Sequence, residues 1–411
     1  HTDLMFKIGK NIAHDCKYCG IHWNLAPVVD INNNPNNPVI GYRSYGENKE
    51  LVSEKAIAYT LGTKSEGILT CAKHFPGHGD TAVDSHLGLP IIKKSKEALL
   101  ENELFPFQEL IENGVESVMI GHLAVPSLSN GENTPATLSK EIIKGVLRQE
   151  MQFSGIVISD ALNMHSVSKM YPTKGELEWT AFDAGNDVLC FAENTKEGID
   201  LILKNASAQQ IEESFERFWK LKLKAFSQLE KAPDAIRNPD ILNHKLAYES
   251  LSLIHGEQKE IKTFRNEGFV GVAIGKKTHN PFFNTISKSV PFTAFSTESS
   301  SKKAFLEKTE GKNILLTLFP PQAKPKDKFG VSPQDFELVS ELLANQNVIL
   351  YLFGNPYFLR LLNFQKAKAV VVAYQEFETF QQNAANHFLG KVDAKGKLPI
   401  TLNSEVCRST K

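Results

Sequence analysis

The chain has 411 residues, 41% of them hydrophobic and 23% charged, which is enough for two or three domains with filled cores and excludes a disordered tail or a disulfide-stapled miniprotein. Lysine plus arginine number 46 and aspartate plus glutamate 47, for a net charge of −1, so no broad electrostatic attraction to nucleic acid or an anionic membrane is expected. No run of ~18 uninterrupted apolar residues occurs, which argues against a membrane span.

In chain order, the first feature is an opening at His1 without an initiator methionine or a visible signal sequence, which reads as a processed or truncated product. Cys16 and Cys19 form a lone CxxC among five cysteines. Without a second pair, the spacing reads as the end of a helix rather than a redox or zinc site. Ile21 to Val29 reads as a strand. Residues 49 to 64 read as an amphipathic helix, and Gly67 to Ala72 as a strand leading into Lys73 and His74. The unit then repeats: helix Lys94 to Asn113 before strand Val115 to Gly121, helix Lys140 to Met151 before strand Gly155 to Ser159, and a helix ending near Ala184 before strand Asp187 to Phe191. Five strands alternating with helices predict a parallel α/β architecture, as an open sheet or a barrel.

Polar residues stand just past each strand: Asp30, Lys73 with His74, His122, Asp160 and Glu193. In a (β/α)₈ barrel that is where catalytic groups converge, because those loops face one mouth. A barrel needs eight such units, so on this reading the front is missing. The domain boundaries expected are 1–207 for the C-terminal part of a TIM-type catalytic barrel, 208–262 for a charged helical linker interrupted by Pro233 and Pro239, and 263–411 for a second α/β domain. Its strands are expected at Val270 to Ile274, Ile314 to Phe319, Val348 to Phe353, Ala369 to Ala373 and Leu398 to Leu402.

The densest chemistry lies in Lys73-His74-Phe75-Pro76-Gly77-His78-Gly79-Asp80, followed by Asp84-Ser85-His86. Pro76, Gly77 and Gly79 prevent a helix, so this is a loop shaped to expose its side chains. The stretch KHFPGHGDTAVDSHLGLP, with VVDINNNPNNPVIGYRSYGEN before it and VISDALNM after it, resembles the family 3 glycoside hydrolases, in particular their β-N-acetylhexosaminidase branch. The likeness extends into the second domain, through GKVDAKGKLPITL.

The resemblance implies a (β/α)₈ barrel and a smaller α/β sandwich domain, and a retaining, exo-acting hydrolysis of terminal N-acetylglucosamine from cell-wall-type glycosides. That chemistry requires a carboxylate nucleophile below the anomeric carbon and a proton donor beside the leaving oxygen. Asp160, ending the strand GIVISD, takes the first role. His86, paired with Asp84, takes the second; a carboxylate on one imidazole nitrogen fixes the tautomer and favours the charged form, so the other nitrogen can donate near neutral pH. Lys73, His74 and Arg43 are expected to bind sugar hydroxyls, and Asp30 to contact the sugar or support Arg43 or Lys73. His78 and His122 are expected to orient the site. An Asp-Gln-Glu-Gly-Gly segment that binds the distal hydroxyls in the family is absent from this chain.

No cofactor and no metal are implied. A metal-dependent hydrolase using His74, His78, Asp80, Asp84 and His86 is the chemical rival, but the HxxxH here encloses Phe-Pro-Gly and cannot set its histidines one helical turn apart. The same residues would also suit an inactive carbohydrate-binding fragment, a β-glucosidase-type member of the family or a phosphorolytic one. The expected partner is a carbohydrate containing N-acetylglucosamine, in peptidoglycan turnover or recycling. Two-domain relatives are often exported, which leans toward a periplasmic or extracellular address.

Overall fold

The computed structural model describes residues 2–81, 88–227, 232–297 and 302–402. The chain divides into two compact units, His1–Asn238 and Pro239–Lys411.

In the first unit, helices α1 (Thr2–Tyr18) and α2 (Lys49–Lys64) precede three parallel strands in the order β1 (Cys71–Phe75), β2 (Ser117–Ile120) and β3 (Ile156–Ser159). Single parallel bridges lengthen the row on both sides: Trp23 to Leu69 and Val28 to Lys73 on the β1 side, Ile158 to Val188 on the β3 side. The five staves expected from the alternation are thus present in sequence order, as part of a TIM-type barrel. Their side chains alternate between two faces, as a pleated strand requires. Ala72, Val118 and Val157 pack outward among Ala56, Phe107, Leu110, Ile142 and Val146 from the surrounding helices. Cys71, Met119 and Ile158 face the other way, with Trp23, Leu25, Val188 and Cys190.

Local chemistry explains the boundaries. The Asn48 side chain caps α2 by accepting the Leu51 N–H at 2.8 Å. The segment expected as one helix from Lys94 to Asn113 is two, Lys96–Glu101 and Phe105–Glu112. Pro106 suits a helical first turn because it has no N–H to place, so a second helix begins there. Helices α1 and α2 meet at glycines. A Cβ on Gly9 would fall on the Tyr59 carbonyl oxygen, and one on Gly62 on that of Phe6. Cys16 is buried near the end of α1 and Cys19 is exposed just beyond it, both as free thiols.

The second unit holds six strands: β4 (Ser252–His255), β5 (Val270–Ile274), β6 (Thr293–Ser296), β7 (Asn313–Leu318), β8 (Asn347–Leu352) and β9 (Ala369–Val372). They run β4-β9-β8-β7-β5-β6, parallel except for β4. Apolar clusters cover both faces, one around Val272, Leu316 and Leu350, the other around Phe282, Tyr351 and Phe388. Such two-sided burial is why the central strands read as unbroken apolar runs.

The stretch 208–262, expected as a linker, divides between the units. Helix Ala208–Ser227 packs Leu221 and Ala225 against Leu69 and Ile156 in the first, while helix Asp240–Ser250, β4 and helix Gln258–Glu267 belong to the second. Leu398 to Leu402, expected as a strand, pairs with none; Leu398 and Ile400 pack against the core, and Leu402 is buried. Among the described residues no helix is long and apolar enough to cross a membrane.

Candidate active site

Asp160 follows β3 directly, and its backbone N–H donates to the Ile120 carbonyl at 2.9 Å, which continues the ladder to β2. Its Oδ1 accepts the Ala161 N–H at 2.8 Å. Burial works to raise the carboxyl pKa, but His74, His122, the Ala161 N–H and Lys73 together hold it below the usual carboxylate value. Asp160 is therefore ionised at neutral pH. Lys73 lies within β1 rather than past it, as does His74. Burial, reinforced by Arg43, lowers the Lys73 pKa.

Asp30 is 1% exposed and serves a different purpose from a sugar ligand. Its Oδ2 accepts from His74 Nδ1 at 2.8 Å and its Oδ1 from the His78 N–H at 2.7 Å, and the His74 N–H lies 3.2 Å from both oxygens. One carboxylate thus fixes the His74 ring, the end of β1 and the turn that follows. Burial opposes its ionisation; the His74 and His78 interactions outweigh it and leave the pKa lowered. Arg43 Nη2 stands 3.4 Å from His74 Nε2, so Asp30, His74 and Arg43 form a row from the interior outward.

His78 is turned inward. Its Nδ1 meets Thr81 Oγ1 at 2.9 Å, and burial pushes its pKa down to about 4, keeping the ring neutral. The turn around it is clamped by Asn37, whose Nδ2 donates to the His78 carbonyl at 2.9 Å while its Oδ1 accepts the N–H groups of Val39 and Ile40. Gly79 passes so close to Ile31 that any Cβ would strike the Ile31 carbonyl oxygen. Beyond the turn, Lys94 Nζ lies 2.9 Å from Asp80 and 2.6 Å from the buried Glu103. Asp84 and His86 lie outside the described residues.

His122, fully buried just after β2, places Nδ1 2.7 Å from Thr137 Oγ1 and Nε2 2.9 Å from the Ala161 carbonyl. The structure therefore gathers Asp30, Arg43, Lys73, His74, His78, His122 and Asp160 at the C-terminal ends of the staves. Sequence reasoning missed Asn37, Glu103, Thr137 and the Ala161 peptide, which act through backbone or buried contacts. Among the described residues no group of three His, Cys, Asp or Glu side chains is arranged to hold a metal ion.

Parallel staves presenting an ionised carboxylate, cations and histidines at their C-terminal ends define an α/β protein of the barrel-enzyme type. Residues 1–221 match the model described as the glycosyl hydrolase family 3 N-terminal domain, and the chain belongs to that family. It is 38% identical over 193 residues to β-hexosaminidase A of Pseudoalteromonas piscicida, covering 44% of this chain and 32% of that protein. It is 31% identical over 265 residues to the β-hexosaminidase of Actinobacillus pleuropneumoniae, covering 64% and 72% respectively. Against the 35% identical β-hexosaminidase of Neisseria meningitidis the match spans 49% of that protein's length, so the chain covers a third to a half of several curated relatives. Among solved structures, a glycoside hydrolase family 3 β-N-acetylglucosaminidase from Paenibacillus sp. is 26% identical with a TM-score of 0.80, over 98% of this chain and 80% of that one. A β-glucoside phosphorylase at 22% identity and TM-score 0.83 shares the fold.

Proposed function

We propose that the chain acts in a retaining, exo-acting β-N-acetylhexosaminidase that removes terminal N-acetylglucosamine from cell-wall-type glycosides. The observation that carries the reading is Asp160: an ionised carboxylate on a rigid strand end, one oxygen seated on the Ala161 N–H, with Lys73 and His74 beside it. In the first step Asp160 attacks the anomeric carbon as the leaving oxygen takes a proton, forming a glycosyl ester. In the second, water deprotonated by the same acid/base group cleaves that ester and restores the configuration. Sequence alone assigns the acid/base to His86 with Asp84. Lys73, His74 and Arg43 bind the sugar hydroxyls, and Asp30 holds His74 in place to do so. The β-hexosaminidase names of the sequence relatives favour the N-acetyl sugar over plain glucose.

The test is hydrolysis of a chromogenic N-acetyl-β-glucosaminide by the longest gene product that contains this chain, with mass-spectrometric trapping of a glycosyl-enzyme on Asp160. Turnover that persists in Asp160→Ala refutes the assignment, and glucoside hydrolysis without N-acetylglucosaminide hydrolysis refutes the sugar.

A phosphorolytic second reading is favoured by charge. Lys73 and Arg43 balance Asp30 and Asp160; esterifying Asp160 removes one negative charge, and the cations that remain would attract an anionic acceptor. Release of the sugar 1-phosphate at high phosphate separates it from hydrolysis.

A further inference from the structure

The environment of His122 contains a constraint that the proposed chemistry does not use. Its Nε2 faces the Ala161 carbonyl at 2.9 Å, and a carbonyl only accepts, so Nε2 carries a proton. Its Nδ1 faces Thr137 Oγ1 at 2.7 Å. That hydroxyl has one hydrogen and lies 3.1 Å from the Gly121 carbonyl and 3.3 Å from that of Ile120. If the hydroxyl hydrogen goes to a carbonyl, the short contact to His122 is a bond donated by Nδ1, and the ring is doubly protonated. This arrangement satisfies the imidazole and the threonine at once, in a place where both are wholly buried and an unmet donor is costly.

The far end of this chain of bonds is the carboxylate. His122 holds the Ala161 carbonyl, the Ala161 N–H seats Asp160 Oδ1, and the Asp160 N–H is tied to Ile120. Because His122 has no exposed surface, it acts on Asp160 only through this peptide and through its charge.

We propose that His122, held by Thr137, is the positioning residue of Asp160: it fixes the Ala161 peptide that seats the carboxylate and places a positive charge beside it. The inference rests on the reading of Asp160 as nucleophile. The other titratable groups around Asp160 are Cys71, Lys73 and His74 on β1, His78 beyond the turn and Cys190 past the Val188 stave. The variants below leave all of these in place.

The experiment is a carboxyl-carbon NMR titration of the aspartate-labelled chain, with the Asp160 resonance assigned by its absence in Asp160→Asn. His122→Gln can keep an N–H toward Ala161 but loses the charge, and the nearly isosteric Thr137→Val removes the acceptor that favours it. Both are expected to raise the Asp160 midpoint by roughly half to one pH unit. Thr137→Ser is expected to titrate as the unmodified protein does, which a purely structural role would not require. An unmoved midpoint in both His122→Gln and Thr137→Val overturns the inference. The underlying reading fails separately, by hydrolysis surviving in Asp160→Ala.

Discussion

Asp187 is the buried charge on which the first unit's closing helix depends, and its removal tests the account of that packing. Its side chain is 1% exposed; Oδ2 accepts from Arg148 Nη2 at 2.7 Å and from the Val157 N–H at 2.9 Å, and Oδ1 from Arg217 Nε at 3.0 Å and Nη2 at 2.8 Å. In Asp187→Ala the Val157 N–H is left without its acceptor, at a cost of about 1–3 kcal/mol. Arg148, whose side chain is 17% exposed, loses its counter-charge but keeps the Phe153 and Gly155 carbonyls; Arg217, 28% exposed, can turn toward water. The partial exposure of the two arginines places the total near the lower end of the range for breaking a buried pair, about 3 kcal/mol. Asp187→Asn retains one acceptor and is expected to lose about half as much. All three tryptophans, Trp23, Trp179 and Trp219, lie in the first unit, so their fluorescence during guanidinium unfolding reports on it alone. A loss below about 1 kcal/mol in Asp187→Ala would refute the claim that this carboxylate ties helix Ala208–Ser227 to the staves.

Asp30→Asn presents an amide to donors at both of its oxygens; hydrolysis should fall at least about a hundredfold, and a kcat near that of the unmodified protein would show that the row through His74 is dispensable. If His86 is the acid, replacing it should slow glycosides with poor leaving groups far more than activated aryl glycosides, and equal losses for both would remove it from that role. In the second unit, His387 donates to or accepts from Tyr351 at 2.8 Å, and burial lowers its pKa to about 4. The unfolded chain protonates this histidine near pH 6.5 and the folded one only near 4, so its contribution is full above 6.5 and lost as the pH falls toward 4, by up to about 3 kcal/mol. Hydrogen exchange of the β8 amides should follow that window and flatten in His387→Gln; an unchanged slope would refute it. Gly79→Ala should displace the turn from Ile31, seen as lower melting temperature together with lower activity; a variant matching the unmodified protein in both would contradict the close approach.

Much of the frame was legible because the central strands are buried on both faces: Val270–Ile274 coincides with β5 in full, and α2 matches residues 49 to 64 because Asn48 caps its start. The edge strands β4 and β6 were not, since Ser252–His255 and Thr293–Ser296 are partly exposed and carry no unbroken apolar run. Leu398 to Leu402 has a strand's composition, and its burial comes from packing alone. At the site, residue types and motif order were enough to single out Asp160, Lys73 and His74. The role of Asp30 was not readable, because it holds the turn through the backbone N–H groups of His74 and His78, which leave no trace in side-chain identity. The same applies to Thr137, which lies 15 residues from the histidine it holds.

The glycine contact between α1 and α2 is backbone against backbone, with no side chain to rotate out of the way. Any change in that crossing must move α2 as a solid rod, and α2 runs through the Ser65–Gly67 turn into the stave that bears Lys73 and His74. Glu66, in that turn, is braced from α1 by Lys10 and Lys17 and from the far end of the unit by Arg237. The first helix is thus a strut that sets the height of β1, and its seating determines how far two of the sugar-facing side chains reach into the mouth of the barrel.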